Sequence, residues 1–306
     1  MNNRQIDQLI DDFLIKTARG KVNPRVQQVT VRLLGDLFKA IEDLDLQPNE
    51  IWKGLEYLAD TGIAHEMGLL AAGLGLERFI DIRADEADAR AGLQGGTPRT
   101  IEGPLYVAGA PVCQGVARLD DGSEDGKAEV LMMQGTVRDE HGKPLPGAQV
   151  EVWHANSLGN YSFFDKSQPA FNLRRTLIAD AEGCYQFRST MPCGYGCPPE
   201  GPVQQLLNQL GRHGRRPAHV HFFVSAPGYR MLTTQINIDG DEYLWDDFAF
   251  ASRDGLVPAV KKISDAQQLK THGLSKPFSS IDFDFTLYQE RSTLPGSEVE
   301  RQRARA

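Results

Sequence analysis

The sequence predicts an α+β protein in which an all-helical domain, residues 1–98, precedes a mainly antiparallel β-sandwich, residues 99–288, with a polar tail over 289–306. Three observations predict it. Apolar residues in the first third recur with the roughly 3.6-residue period of helices. The stretch AGLQGGTPR, residues 91–99, then interrupts that period with Gly and Pro. Beyond it, short apolar runs of strand length are separated by turn signals, the pattern of a sandwich rather than of a parallel α/β sheet.

Taken in order, Ile6, Leu9, Ile10, Phe13 and Leu14 occupy one face of a helix over 5–16. Asn23 and Pro24 supply the N-cap and first position of a second helix, whose stripe of Val26, Val29, Leu33, Leu34, Leu37, Phe38 and Ile41 ends near Asp43. Pro48 opens a third, with Ile51, Trp52, Leu55 and Leu58 on one face and Thr61-Gly62 as its stop. Strands are expected over 130–137, 148–154, 176–179, 185–189, 218–224, 232–238 and 281–287, divided most clearly by the turn sequences DEHGKPLPG (139–147) and DAEG (180–183). PVQQLLNQL, residues 202–210, has helical spacing after a Pro start. The tail, ending RQRARA, is expected to fray or to drape over the surface.

A chain of 306 residues can bury a core without staples, and its net charge of −8 offers no basic footprint for a phosphate backbone, which excludes nucleic acid as a partner. The opening MNNRQIDQLIDDF lacks the basic and apolar blocks of a signal peptide, and no run is long enough to span a bilayer. A cytoplasmic protein without membrane insertion is expected. Four cysteines, Cys113, Cys184, Cys193 and Cys197, are too few for a disulfide framework, so reduced thiols are expected.

In RPAHVHFFV, His219 and His221 stand two apart on a strand, so both side chains leave one face with Cα atoms roughly 6–7 Å apart. Two imidazoles so placed can share a metal, although an isolated H-x-H is more often a pair of half-buried histidines. If a metal is bound, Cys193 and Cys197 would make a Cys2His2 zinc set, against which stands the single residue between the histidines where zinc fingers leave three to five. Tyr195 in CGYGC is the competing donor. A phenol, with a reference pKa near 10, ionises at neutral pH only where a strong Lewis acid replaces its proton, and phenolate is a hard donor suited to ferric iron.

These residues fall within four blocks: TIEGPLYVAGAP (100–111), GTVRDEHGKPLPGAQVEVWHANSLGNYS (135–162), GYGCPPEGPVQQLLNQLGRHGRRPAHVHFFVSA (194–226) and LTTQIN (232–237). By them the chain resembles the intradiol ring-cleavage dioxygenases, and among these the bacterial branch acting on catechol, over nearly all its length except the tail. The resemblance implies one Fe(III) per chain held by Tyr161, Tyr195, His219 and His221. It places Arg216 and Gln235 beside the substrate, and Leu69, Ile101, Pro104, Leu105, Phe248 and Ala249 around the ring. It implies cleavage of catechol by O2 between the hydroxyl-bearing carbons to cis,cis-muconate, with Tyr161 as the ligand that leaves and serves as base, and Arg216 stabilising carbanion character at the attacked carbon. It further implies a homodimer through the amino-terminal helices and a phospholipid in an apolar channel at that interface.

Hydroxyquinol, chlorocatechol or protocatechuate are the alternative substrates within the family; a single chain with its own helical domain and the TIEGPLYVAGAP block favour catechol. The rival outside it is a non-enzymatic module with a structural zinc site. Gly73-Leu74-Gly75 lacks the remainder of a dinucleotide fingerprint, no P-loop occurs, and His65-Glu66 fails as a zincin motif because Leu69 stands where the second histidine belongs. His65 reads as a helix or loop residue, and His141, His154, His213 and His272 have no evident partners in the sequence.

Overall fold

Side-chain caps and prolines set the helices of a first compact unit, Met1–Ala64, in the computed structural model, which describes residues 1–294, 296–297 and 301–305. In α1 (Asn3–Ile10), the Gln5 amide donates to the Asn2 side chain and the Asn2 amide to that of Gln5, a reciprocal capping box. A π-helical turn, Asp11–Ile15, prolongs α1. The Asn23 side chain accepts from Arg25 and Val26 at the start of α2 (Pro24–Asp43), and the Gln47 amide donates to Glu50 at the start of α3 (Pro48–Ile63). The expected stripes are present but lie open: Val26, Leu33, Leu37, Trp52, Leu55 and Leu58 are all exposed, whereas Gly35 and Thr61 are the buried residues of α2 and α3.

The second unit, His65–Ala306, begins with α4 (Met67–Gly73) and α5 (Leu76–Arg90). Its remaining elements are β1 (Val107–Ala108), β2 (Val112–Gln114), β3 (Val116–Arg118), β4 (Val130–Asp139), β5 (Gln149–His154), β6 (Arg174–Ile178), β7 (Cys184–Thr190), β8 (Tyr195–Gly196), α6 (Pro202–Gln209), β9 (Arg215–Arg216), β10 (His219–Ser225), β11 (Leu232–Asn237), β12 (Lys261–Ile263), α7 (Ala266–Thr271), β13 (Phe278–Asp282), β14 (Phe285–Leu287) and β15 (Ala304–Arg305). Two sheets form the sandwich, one in the order β11-β10-β5-β6-β2, the other β12-β13-β4-β7-β3 with β14 also on β4. Its long ladders, β4 with β7 and β10 with β5 and β11, are antiparallel, and the shorter additions β2, β3, β13 and β14 are parallel.

The single strand expected over 281–287 is two strands. Gly135 explains the break: a Cβ there would collide with the Phe283 carbonyl, so the chain closes on β4 at this point, with Phe283 donating to Gln134 and the Thr136 amide to Asp284. Inner faces meet through Val150, Val152, Val220, Phe222, Val224 and Ile236 of one sheet and Leu131, Met133, Phe187, Ile281 and Phe285 of the other. Each such side chain contributes roughly 1.5–3 kcal/mol by leaving water. Because the strand period is two, β10 gives its even residues to this core and turns His219, His221 and Phe223 to the opposite face. That face carries the site.

Candidate metal centre

Register decides the neighbours of the two histidines. His221 lies opposite Gln235 of β11 on one side and Trp153 of β5 on the other, and His219 lies opposite Asn237. The His221 ring stacks on Trp153 with centroids 4.9 Å apart and 4° between planes, which fixes its tilt. The His219 Nδ1–H donates to the Pro217 carbonyl at 2.6 Å, leaving Nε2 with its lone pair directed into the site.

The phenols arrive from two other segments. Tyr195 forms a two-residue antiparallel ladder with Arg216, so β8 and β9 deliver the phenol and the guanidinium together. Tyr161 ends a tight loop after β5 in which the Asn156 side chain accepts from the amides of Leu158 and Asn160. Gly159 in that loop has φ +83°, and a Cβ there would stand 3.0 Å from the Gly194 carbonyl and 3.1 Å from Tyr195 Cβ. Only glycine lets the loop carrying Tyr161 lie against the strand carrying Tyr195.

Tyr161 and His221 meet at His219 Nε2, and Tyr195 is linked to it through Arg216. The His219 Nε2 lies 3.0 Å from His221 Nε2, 3.2 Å from the Tyr161 hydroxyl and 3.2 Å from Arg216 Nη1, which in turn is 3.5 Å from the Tyr195 hydroxyl. Burial, aided by Arg216, pushes the His219 imidazole down to about 3, and burial with the neighbouring His219 holds His221 well below its usual range. Both rings are neutral at physiological pH, the form that binds metal. Burial, then repulsion from Tyr195, raises Tyr161 well above the ordinary phenol range, so its phenolate requires a cation. Among the described residues the buried His221 Nδ1 has no hydrogen-bond partner. Two neutral imidazoles and two phenols, with no carboxylate or thiolate among them, fit a hard, highly charged ion.

Arg216 is 3% exposed and bound on three sides. Its Nε and Nη2 donate to the two Asp247 carboxylate oxygens at 3.2 and 3.1 Å, and Nη2 donates to the Gln235 side-chain oxygen at 2.8 Å. Burial opposes both charges of the pair, and their mutual attraction overcomes it, raising Arg216 and lowering Asp247. Asp247, in WDDFAF, carries no motif that marks it in the sequence. Nor does Arg174, which reads as half of an ordinary Arg-Arg pair yet is 1% exposed and sits over the Tyr161 ring, 5.7 Å from its centroid.

The residues expected around the ring come from three segments of the chain. Leu69 rides on α4, where a Cβ at Gly68 would stand 2.8 Å from Pro104 and one at Gly73 would stand 3.2 Å from Phe248. Leu105 packs on the cluster of Tyr106, Trp153 and Tyr161, and Gly103 approaches His221 Cε1. Ile101, Phe248 and Ala249 are buried, and the Ala249 amide donates to Asp247 at 3.0 Å, so the loop bearing two of the residues expected around the ring is tied to the carboxylate that holds Arg216.

The other sequence candidates lie elsewhere. All four cysteines are free, and among the described residues no group of three or more His, Cys, Asp or Glu is arranged to hold a metal, so the Cys2His2 zinc set does not assemble. His154 is a core residue whose ring bonds the Ala155 carbonyl and the Ser189 hydroxyl, each at 2.7 Å. His213 faces Asp246 at 3.0 Å. Among the described residues no helix is long and apolar enough to cross a membrane.

Comparison with known proteins extends over both parts of the chain. A family model described as Dioxygenase matches residues 101–289, and one described as Catechol dioxygenase N terminus matches residues 23–92. A catechol 1,2-dioxygenase of Acinetobacter guillouiae is 62% identical over 96% of this chain and 97% of its own. The wild-type catechol 1,2-dioxygenase structure from Acinetobacter radioresistens matches with a TM-score of 0.98 at 64% identity, covering 100% of this chain and 99% of that one. A hydroxyquinol 1,2-dioxygenase of a Rhizobium species is more distant, 32% identical over 90% of this chain and 93% of its own. With helical segment, sandwich and donor-bearing strands all inside the matched regions, the chain belongs to the catechol dioxygenases of the intradiol ring-cleavage family.

Proposed function

We propose that this protein cleaves catechol between its hydroxyl-bearing carbons with O2, giving cis,cis-muconate with both oxygen atoms retained, at one ferric ion per chain held by Tyr161, Tyr195, His219 and His221. The observation that carries this reading is the meeting of the Tyr161 phenol and two neutral imidazoles at His219 Nε2, with the Tyr195 phenol linked to the same atom through Arg216. When bound, the ferric ion supplies Lewis acidity and a template for the catechol dianion. Tyr161 takes up a substrate proton at its phenolate oxygen. Arg216, locked by Asp247 and Gln235, presents a fixed cation to negative charge developing on the attacked carbon without reorganising. Leu69, Ile101, Pro104, Leu105, Phe248 and Ala249 enclose the ring and exclude water.

The exposed stripes of α2 and α3 support a homodimer through the helical region, residues 1–98, and a phospholipid would bind against the same apolar surface. A visible spectrum of the purified protein tests the central reading. A broad phenolate-to-iron band is expected, moving to longer wavelength on anaerobic addition of catechol, and bleached or shifted in Tyr195→Phe with weaker iron retention. A colourless protein fully loaded with zinc and indifferent to catechol would overturn it.

A further inference from the structure

The polar tail, expected to fray or drape, makes specific contacts behind the site. β15 pairs in parallel with β1, Ala304 beside Val107 and Arg305 beside Ala108. This sets Arg303 over two aromatic rings, 5.5 Å from the Tyr106 centroid and 5.0 Å from that of Phe223. Its Nε and Nη2 donate to the two oxygens of Glu102, each at 3.0 Å, a bidentate fork that lysine cannot reproduce. Glu102 is a carboxylate only 8% exposed, paired with Arg303 and, at 4.0 Å, with Arg301. A buried charge that loses its partner is strongly destabilising to its surroundings.

Those surroundings are the candidate site. Glu102 stands between Ile101 and Gly103, in the wall segment that continues to Pro104 and Leu105. Tyr106 packs edge-on against Trp153 with centroids 5.0 Å apart, and Trp153 is the ring on which His221 stacks. One guanidinium thus touches both the wall segment and the back of the aromatic stack that sets the plane of His221.

We propose that Arg303 is a positioning residue for ring cleavage, holding residues 101–105 and the Tyr106–Trp153 stack behind His221 through its fork on Glu102. The inference rests on the ferric reading above. It is tested in the full chain with Arg303→Ala and Arg303→Lys, measuring KM and kcat per bound iron, the visible band, and amide hydrogen exchange over residues 101–108 in the iron-free protein. Arg303→Ala should raise KM for catechol about five- to tenfold with kcat per iron changed less than about twofold, shift the band, and speed exchange over 101–108. Arg303→Lys should recover part of each change, since it restores the charge without the fork. Activity that falls only in step with iron content or thermal midpoint, with KM, band and exchange as in the parent, would overturn the proposal. A parent protein without colour or turnover would instead sink the ferric reading, and exchange in the iron-free chain would still decide whether Arg303 holds the wall.

Discussion

Replacing Asp247 with alanine is expected to lower kcat/KM for catechol by about 10²–10³ and to destabilise the iron-free fold by about 3–5 kcal/mol. The carboxylate is 7% exposed and receives four hydrogen bonds: two from Arg216, one from Ala249 and one, at 3.3 Å, from Ala251. Its removal strands a buried guanidinium and two amides, and frees the loop bearing Phe248 and Ala249. Asp247→Asn separates charge from shape, because the amide can still accept from Arg216 but no longer neutralises it. Arg216 depresses the Asp247 carboxyl below its ordinary 3.8 against the opposing pull of burial. The stabilisation is therefore fully present above about that pH and is lost as pH falls through the lower folded value. The stability gap between the parent and Asp247→Asn should accordingly be widest at neutral pH and narrow in acid. Denaturant unfolding at several pH values and steady-state kinetics check both effects; a kcat/KM within threefold of the parent would remove Asp247 from the machinery.

Why Asp247 escapes a reading of the sequence is instructive. His219 and His221 are legible because a period of two puts them on one strand face, and Tyr195 because its Gly and Cys neighbours isolate it as a donor. Asp247 and Arg174 act through contacts 31 and 12 residues away, with Arg216 and Ser162, which no local pattern encodes. Likewise α4 and α5 were not separated from the sequence because Leu69 and its neighbours lack capping signals and α5 mixes charged and apolar residues around its circumference. The split at Phe283 depends on Gly135, a contact across 148 residues between Thr136 and Asp284. The stripes of α2 and α3 were visible as periodicity, but periodicity does not say whether a face turns to the chain's own core or outward.

Replacing Arg174 with methionine is expected to lower iron affinity without lowering apoprotein stability. Arg174 is 1% exposed, has no carboxylate in ion-pair reach among the described residues, and its Nη1 has no hydrogen-bond partner. Burial pulls it down to about 10, opposed by the nearby phenols Tyr161 and Tyr106. Its Nε and Nη2 donate to the Ser162 hydroxyl and carbonyl at 2.9 and 3.0 Å, next to Tyr161. A buried cation without a counter-charge strains the metal-free fold, and it becomes useful when the adjacent phenol is a phenolate. Methionine of similar length removes the charge; losing the donor to the Ser162 carbonyl costs about 1–3 kcal/mol, comparable to or less than the relief of an unpaired buried charge. Iron-free Arg174→Met should therefore unfold at an equal or higher denaturant midpoint than the parent, while iron loss to a competing chelator becomes about 10–100-fold more favourable. A parallel fall in both would mean that Arg174 serves only to tie the Ser162 loop, because a purely structural contact has no reason to distinguish the metal-free protein from the loaded one.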